Sequence, residues 1–113
     1  MNEDEQIATL AGLIEGDCAR TILVATREAP MSVTELEAAC DVSEATVRRR
    51  LDDLAEHGLV EETVRIDDAG HHRHAYRAIV EQVTFDLEAD GVSVEVARAE
   101  TMADRFTRFV REM

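Results

Sequence analysis

Ser32-Val33-Thr34-Glu35-Leu36-Glu37-Ala38-Ala39-Cys40-Asp41-Val42-Ser43-Glu44-Ala45-Thr46-Val47-Arg48-Arg49-Arg50-Leu51-Asp52-Asp53-Leu54 is the stretch on which the reading of this chain turns. Ser32 followed three residues later by Glu35 is a capping box, in which each side chain satisfies a backbone N–H that a new helix leaves unpaired. Val33, Leu36 and Cys40 then fall on one face of a short helix that ends at Asp41-Val42. Ser43 caps a second helix, in which Val47, Leu51 and Leu54 recur at steps of four and three, and Gly58 is placed to close it in the left-handed conformation. The spacing predicts two short helices joined by a tight turn that Val42 plugs into the core. At about 100° per residue, with Val47, Leu51 and Leu54 inward, Ala45 and Arg49 point almost directly outward and Thr46 and Arg48 flank them.

On the N-terminal side, Ile7, Leu10, Ala11 and Ile14 repeat at helical spacing behind a run of acids, which predicts a helix over residues 3–15. Asp17 is suited to cap a further helix that runs through Ala19, Ile22 and Leu23 until Ala29-Pro30 stops it. On the C-terminal side the period switches to two. Val60, Val64 and Ile66 mark one strand, Asp67-Asp68-Ala69-Gly70 a turn, and His72, His74, Tyr76, Ala78 and Val80 alternate with Arg73, Ala75, Arg77 and Ile79 on the return. A second hairpin sets Val83, Phe85 and Leu87 against Val92, Val94 and Val96 across Ala89-Asp90-Gly91. A last helix starts at about Ala97 and carries Met102, Phe106, Phe109, Val110 and Met113 on one stripe. The order helix, helix, tight turn, helix, hairpin predicts an α+β winged helix-turn-helix with an additional β-hairpin and a C-terminal dimerisation helix. Residues 1–96 form the DNA-binding domain in this reading, wing and second hairpin included, and residues 97–113 the dimerisation helix.

Composition sets the bounds. The chain has 113 residues, 45% of them apolar, enough for one domain with a core. No apolar run approaches the roughly 20 residues of a membrane span, and the acidic start Met1-Asn2-Glu3-Asp4-Glu5 is unlike a secretory signal, so a soluble cytoplasmic protein away from membranes is expected. Twenty-five acids against 12 bases give a net charge of −13, and all 12 bases are arginine. Dense carboxylate without lysine resembles the proteins of halophilic archaea that accumulate salt; the alternative is an acidic mesophilic protein with arginine-rich codon usage. At ~1 M salt the Debye length is only ~3 Å, so distant carboxylates hardly repel a DNA phosphate and the acidic pI excludes no nucleic-acid partner.

Within that acidic chain, residues 43–50 hold three arginines against one acid. A guanidinium matches the O6 and N7 edge of guanine, and hydroxyls at a helix N-terminus suit phosphate. Ser43, Ala45, Thr46, Arg48, Arg49 and Arg50 are therefore expected to contact double-stranded DNA, with Arg65, Arg73 and Arg77 of the first hairpin as further contacts. The plainer alternatives are surface ion pairs with Asp52, Asp53 and Glu56 and a solvated cationic strand. His71, His72 and His74 cluster, but no cysteine joins them and no metal site is assigned. Cys18, at the start of its helix, is the candidate redox-responsive thiol, while Cys40 reads as a small core residue. Nucleophile, base and orienting group do not occur together, so neither an enzyme nor a cofactor is expected. A homodimer is expected through Met102, Phe106, Phe109 and Met113, joined by Ile7, Leu10 and Ile14; the alternative is that the stripe packs on its own domain. A protein-interaction module without specific DNA binding is the competing function.

The chain resembles the small winged helix-turn-helix transcription regulators of haloarchaea, grouped with ArsR-like and TrmB-like DNA-binding domains. The resemblance rests on the stretch over residues 16–30, Met31-Ser32-Val33-Thr34-Glu35-Leu36, Ala39-Cys40-Asp41-Val42-Ser43, Thr46-Val47-Arg48-Arg49-Arg50, Arg65-Ile66-Asp67, Gly70-His71-His72 and Ala103-Asp104-Arg105-Phe106-Thr107-Arg108. It implies that the histidine pair follows the turn of the wing and that the last segment belongs to a C-terminal helix. The Cys-Val-Cys segment of metal-sensing ArsR proteins is missing, and 113 residues leave no room for the sugar-binding domain of TrmB proteins, so neither signal is expected.

Overall fold

The computed structural model describes residues 2–113, apart from the side chain of Met102. Helix α1 (Glu3–Glu15) is capped by Asn2, whose side chain accepts the Glu5 N–H at 2.8 Å. Helix α2 (Asp17–Glu28) follows after a single residue. Asp17 lies in its first turn and is not its cap; Gly16 takes that place without a side-chain bond. Arg20 instead reaches back to the carbonyls of Ile14 (2.7 Å) and Glu15 (2.6 Å), satisfying acceptors that the end of α1 leaves open. Helix α3 (Val33–Cys40) has both bonds of its capping box and ends at Asp41, in the left-handed region at φ 55°. Ser43 caps α4 (Glu44–Glu56) by accepting the Thr46 N–H at 3.2 Å. Ile22, Leu36, Val47, Leu51, Leu54 and Leu59 are buried to 1% exposure or less and form one core. Thr26 is buried with them, and its hydroxyl donates to the Ile22 carbonyl at 2.7 Å.

Two antiparallel hairpins complete the α+β fold: β1 (Val60–Ile66) with β2 (His72–Ala78), and β3 (Val80–Glu88) with β4 (Gly91–Arg98). Met31 pairs with Tyr76 through both backbone bonds (3.0 and 2.8 Å), extending the first hairpin by one residue on its other edge and fastening it to the start of α3. Val80 opens β3 and does not end β2, because the N–H groups of Ile79 and Val80 both turn to the Leu59 carbonyl (2.9 and 3.3 Å). Val60 is buried, but Val64 and Ile66 are exposed. In the second hairpin Val83, Phe85 and Leu87 face Val96, Val94 and Val92, in the expected register. Its base packs on the core, while Phe85, Val92 and above all Leu87, at 86% exposure, lie open to solvent.

Helix α5 (Met102–Glu112) begins five residues later than the expected Ala97, so a boundary between residues 96 and 97 falls inside β4. Ladder pairing keeps residues 97 and 98 in the strand, and Thr101 with Asp104 forms the capping box that starts the helix. Phe106 (69%), Phe109, Val110 and Met113 are exposed, and α5 has no substantial packing against another element. Among the described residues, these four side chains are not buried against their own domain. The Met102 side chain lies outside the described residues. Leu10, expected in a dimer interface, is 3% exposed within this chain's own core, since α1 lies across β4; Ile7 and Ile14 are half-buried. Among the described residues, no helix is long and apolar enough to cross a membrane.

Gly58 stands at φ 71°, and a Cβ there would meet the Arg98 guanidinium at 3.2 Å. Gly58→Ala is expected to destabilise the fold by ~1–2 kcal/mol, read as a drop in Tm of roughly 5–15 °C in a thermal melt.

Candidate nucleic-acid interface

Burial of Val47, Leu51 and Leu54 fixes the rotation of α4 about its axis. Ala45, Arg48 and Arg49 are consequently exposed and Thr46 half-exposed, as the helical projection places them. The hydroxyls of Ser43 and Thr46 lie 3.0 Å apart at the N-terminus of the helix, where peptide N–H groups favour an anion. Arg48 bonds Glu44 one turn back at 2.9 Å. Arg50 does not share the outward face: it pairs with Asp53 at 3.1 Å and borders a hollow with Gly12, Leu13 and Gly16. One further residue of helical rotation turns it toward the junction of α1 and α2. Arg49 is exposed and, among the described residues, has no ion pair or hydrogen bond.

The three hairpin arginines share one face, because Arg65 stands opposite Arg73 and Arg77 opposite Glu61 in the ladder. They are not equivalent. Arg73 is exposed and bonds Asp67 at 2.9 Å. Asp67 also accepts the N–H groups of Ala69 (3.0 Å) and His71 (2.9 Å), which shapes the turn. The Arg73 guanidinium, followed by the His71 N–H, holds the Asp67 carboxyl below the usual carboxylate range. Arg65, expected as an exposed contact, is committed to the Pro30 carbonyl (3.0 Å) and to Glu35 (2.6 Å). Its partner Glu35 is held below its ordinary range by the Ser32 N–H first and by Arg65 next. Arg77 is withdrawn further: its side chain is 18% exposed, paired with Glu61 and bonded to the Glu100 carbonyl at 3.2 Å. A strand face continuous with a loop buries what the alternation alone assigns to solvent.

Between α3, the N-terminal half of α4 and the first hairpin runs an open trough lined by Arg48, Glu62, His74 and Tyr76 among others. His74 pairs with Glu62, and His71 lies 3.6 Å from Asp67. Among the described residues, no group of three or more histidines, cysteines or carboxylates is placed to hold a metal ion. The trough thus combines the cations Arg48, Arg65 and Arg73 with the carboxylates Glu35 and Glu62, and Arg49, elsewhere on α4, is the arginine of that helix that can take a new anionic partner without releasing an old one among the described residues.

Sequence reasoning missed a meeting of the two cysteines. Both are half-buried, and the Cys40 thiol donates to the Cys18 carbonyl at 3.7 Å, joining the end of α3 to the start of α2. Burial, followed by the Cys18 side chain, pushes the Cys40 thiol up to about 11. Its thiolate fraction near pH 8 is then about a hundredfold below that of an open cysteine, since the thiolate is the form that reacts. Iodoacetamide with peptide mapping is expected to leave Cys40 unmodified at pH 8 in the folded protein and to label it progressively as the pH rises toward 11; rapid labelling at pH 8 is the contrary result.

Residues 5–80 match the family model described as the HVO_A0261 N-terminal domain, named for a haloarchaeal protein. No curated protein matches the chain. The match spans α1 to α4 and the first hairpin, ends where β3 begins, and covers well over half of the sequence. This chain belongs to the HVO_A0261 N-terminal domain family.

Proposed function

We propose that the protein is a sequence-specific, double-stranded DNA-binding transcription regulator of the winged helix-turn-helix type, without catalytic activity and acting as a homodimer in the cytoplasm. In this reading α3 and α4 are the helix-turn-helix, α4 enters the major groove, and the first hairpin is the wing. The observation that carries it is Arg49: an exposed guanidinium, without a partner among the described residues, at the most outward point of a helix whose opposite face is buried at Val47, Leu51 and Leu54. Ser43 and Thr46 supply hydroxyls for phosphate at the start of the same helix. Arg48 joins them by exchanging Glu44 for the DNA, and Arg73 by exchanging Asp67. Arg50 and Arg65 would have to release Asp53 and Glu35 in the same way, and Arg77, whose side chain is 18% exposed, is the least available of the nine.

The acidic composition is compatible with this role in concentrated salt, where screening reduces repulsion beyond ~3 Å while contact hydrogen bonds persist. Self-association is proposed through the exposed stripe of α5, which would set two copies of α4 at half-sites about one helical turn of DNA apart. Any thiol-based input falls to Cys18, because Cys40 is held protonated.

Selection from a random duplex library at molar salt tests the proposal. The wild type is expected to enrich one sequence, and Arg49→Ala to bind it about 5- to 150-fold more weakly, with relaxed preference at one base pair per half-site and an unchanged Tm. Failure of the wild type to enrich any sequence favours the protein-interaction role; undiminished preference in Arg49→Ala moves the reading face off α4.

A further inference from the structure

Among the described residues, two apolar faces of this chain lie largely open to solvent. One is the stripe of Phe106, Phe109, Val110 and Met113 on α5; the other is the outer part of the second hairpin, where Phe85, Leu87 and Val92 continue the face that Val83, Val94 and Val96 bury against the core. The hairpin face runs on into a groove floored by Ile14, Leu23 and Val24. We propose that α5 of one copy docks on the second hairpin of another copy, in a two-fold exchange that covers both faces at once.

In this structure α5 does not cover its own hairpin. The link from β4 to α5 is three residues long, and each end of it is held. The Ala99 N–H bonds the Ile79 carbonyl at 2.6 Å, Arg77 bonds the Glu100 carbonyl at 3.2 Å, and Arg108 of α5 pairs with the Glu100 carboxylate at 2.8 Å. These bonds fasten the link to the first hairpin and to the Ile79 carbonyl, and with both faces open in the single chain the proposed docking is between copies.

Charge complementarity at contact range, the range that concentrated salt leaves unscreened, fits a second copy. Residues 102–112 carry three arginines against Asp104 and Glu112, whereas residues 80–98 carry five carboxylates against Arg98. Arg98 is itself bound to the carbonyls of Gly58 (2.9 Å) and His57 (3.2 Å). A helix with an excess of arginine therefore meets a ribbon with an excess of carboxylate. The dimensions agree as well. Phe106 to Met113 spans ~10 Å along a helix, and Val83 to Leu87 ~13 Å along a strand. Exchange about a two-fold axis uses both patches of both copies and closes, as an isologous dimer requires.

This inference deepens the self-association part of the proposed function and is independent of DNA binding. Its test is complementation between full-length variants, read by light scattering behind size exclusion at molar salt, with circular dichroism to verify folding. Leu87→Arg alters the hairpin face and Phe109→Asp the helix face; both positions are exposed, so both variants should fold. The wild type is expected at twice 12.6 kDa and each variant alone at 12.6 kDa. Their equimolar mixture should regain the double mass, because the intact α5 of one docks on the intact hairpin of the other. A dimeric Leu87→Arg means that α5 pairs with α5 and overturns the exchange. A mixture that stays monomeric overturns it too and leaves the DNA-selection experiment unaffected; a monomeric wild type overturns it together with the homodimer of the proposed function, while the DNA selection still reads Arg49 at a single site.

Discussion

Everything that faces outward in this molecule depends on three side chains that face inward. Val47, Leu51 and Leu54 go into the same core as Ile22, Leu36 and Leu59, and none of the six exceeds 1% exposure. Burial of each is worth ~1.5–3 kcal/mol relative to exposure, while rotating α4 by one residue would lift that face toward water and bring charge into the core. The rotation of α4 is thereby fixed to within a fraction of a turn. The position of Arg49 is a by-product of that burial, as are those of Ala45 and Arg48.

The same constraint explains why the helical layer was legible in the sequence and the surroundings of its charges were not. Helix ends are written in local chemistry: Ser32 with Glu35, Ser43 and Gly58 each do in the fold what their spacing implies. Hairpin register follows from alternation, which places Val83, Phe85 and Leu87 opposite Val96, Val94 and Val92. Alternation assigns side chains to faces but does not reveal what lies beyond a face. Arg65 and Arg77 share the face of Arg73, yet Arg65 meets the Pro30 carbonyl 35 residues away and Arg77 meets Glu100. The link between β4 and α5 was displaced for a similar reason, since a helical stripe extrapolated backward from Phe106 ignores the ladder that holds residues 97 and 98.

Leu10 and the pair of cysteines illustrate the other limit. An amphipathic helix announces that it has a buried face, but not whether its own chain or another covers it. Leu10 is covered by this chain, and Phe106, Phe109, Val110 and Met113 of α5 are exposed. Cys18 and Cys40 lie 22 residues apart and meet only because α2 and α3 pack side by side, a fact of tertiary geometry that neither cysteine's neighbours encode.

Arg98 lies at the end of β4, yet its guanidinium bonds the carbonyls of His57 and Gly58, just past the C-terminus of α4. Carbonyls at that end carry the negative pole of the helix, so the contact is electrostatically favourable as well as directional. At hydrogen-bond range it survives the screening that silences the surface carboxylates. The second hairpin is consequently a lever arm. Its tip is exposed at Leu87, and its base is tied to the foot of the outward-facing helix by the two Arg98 hydrogen bonds and the core beneath them.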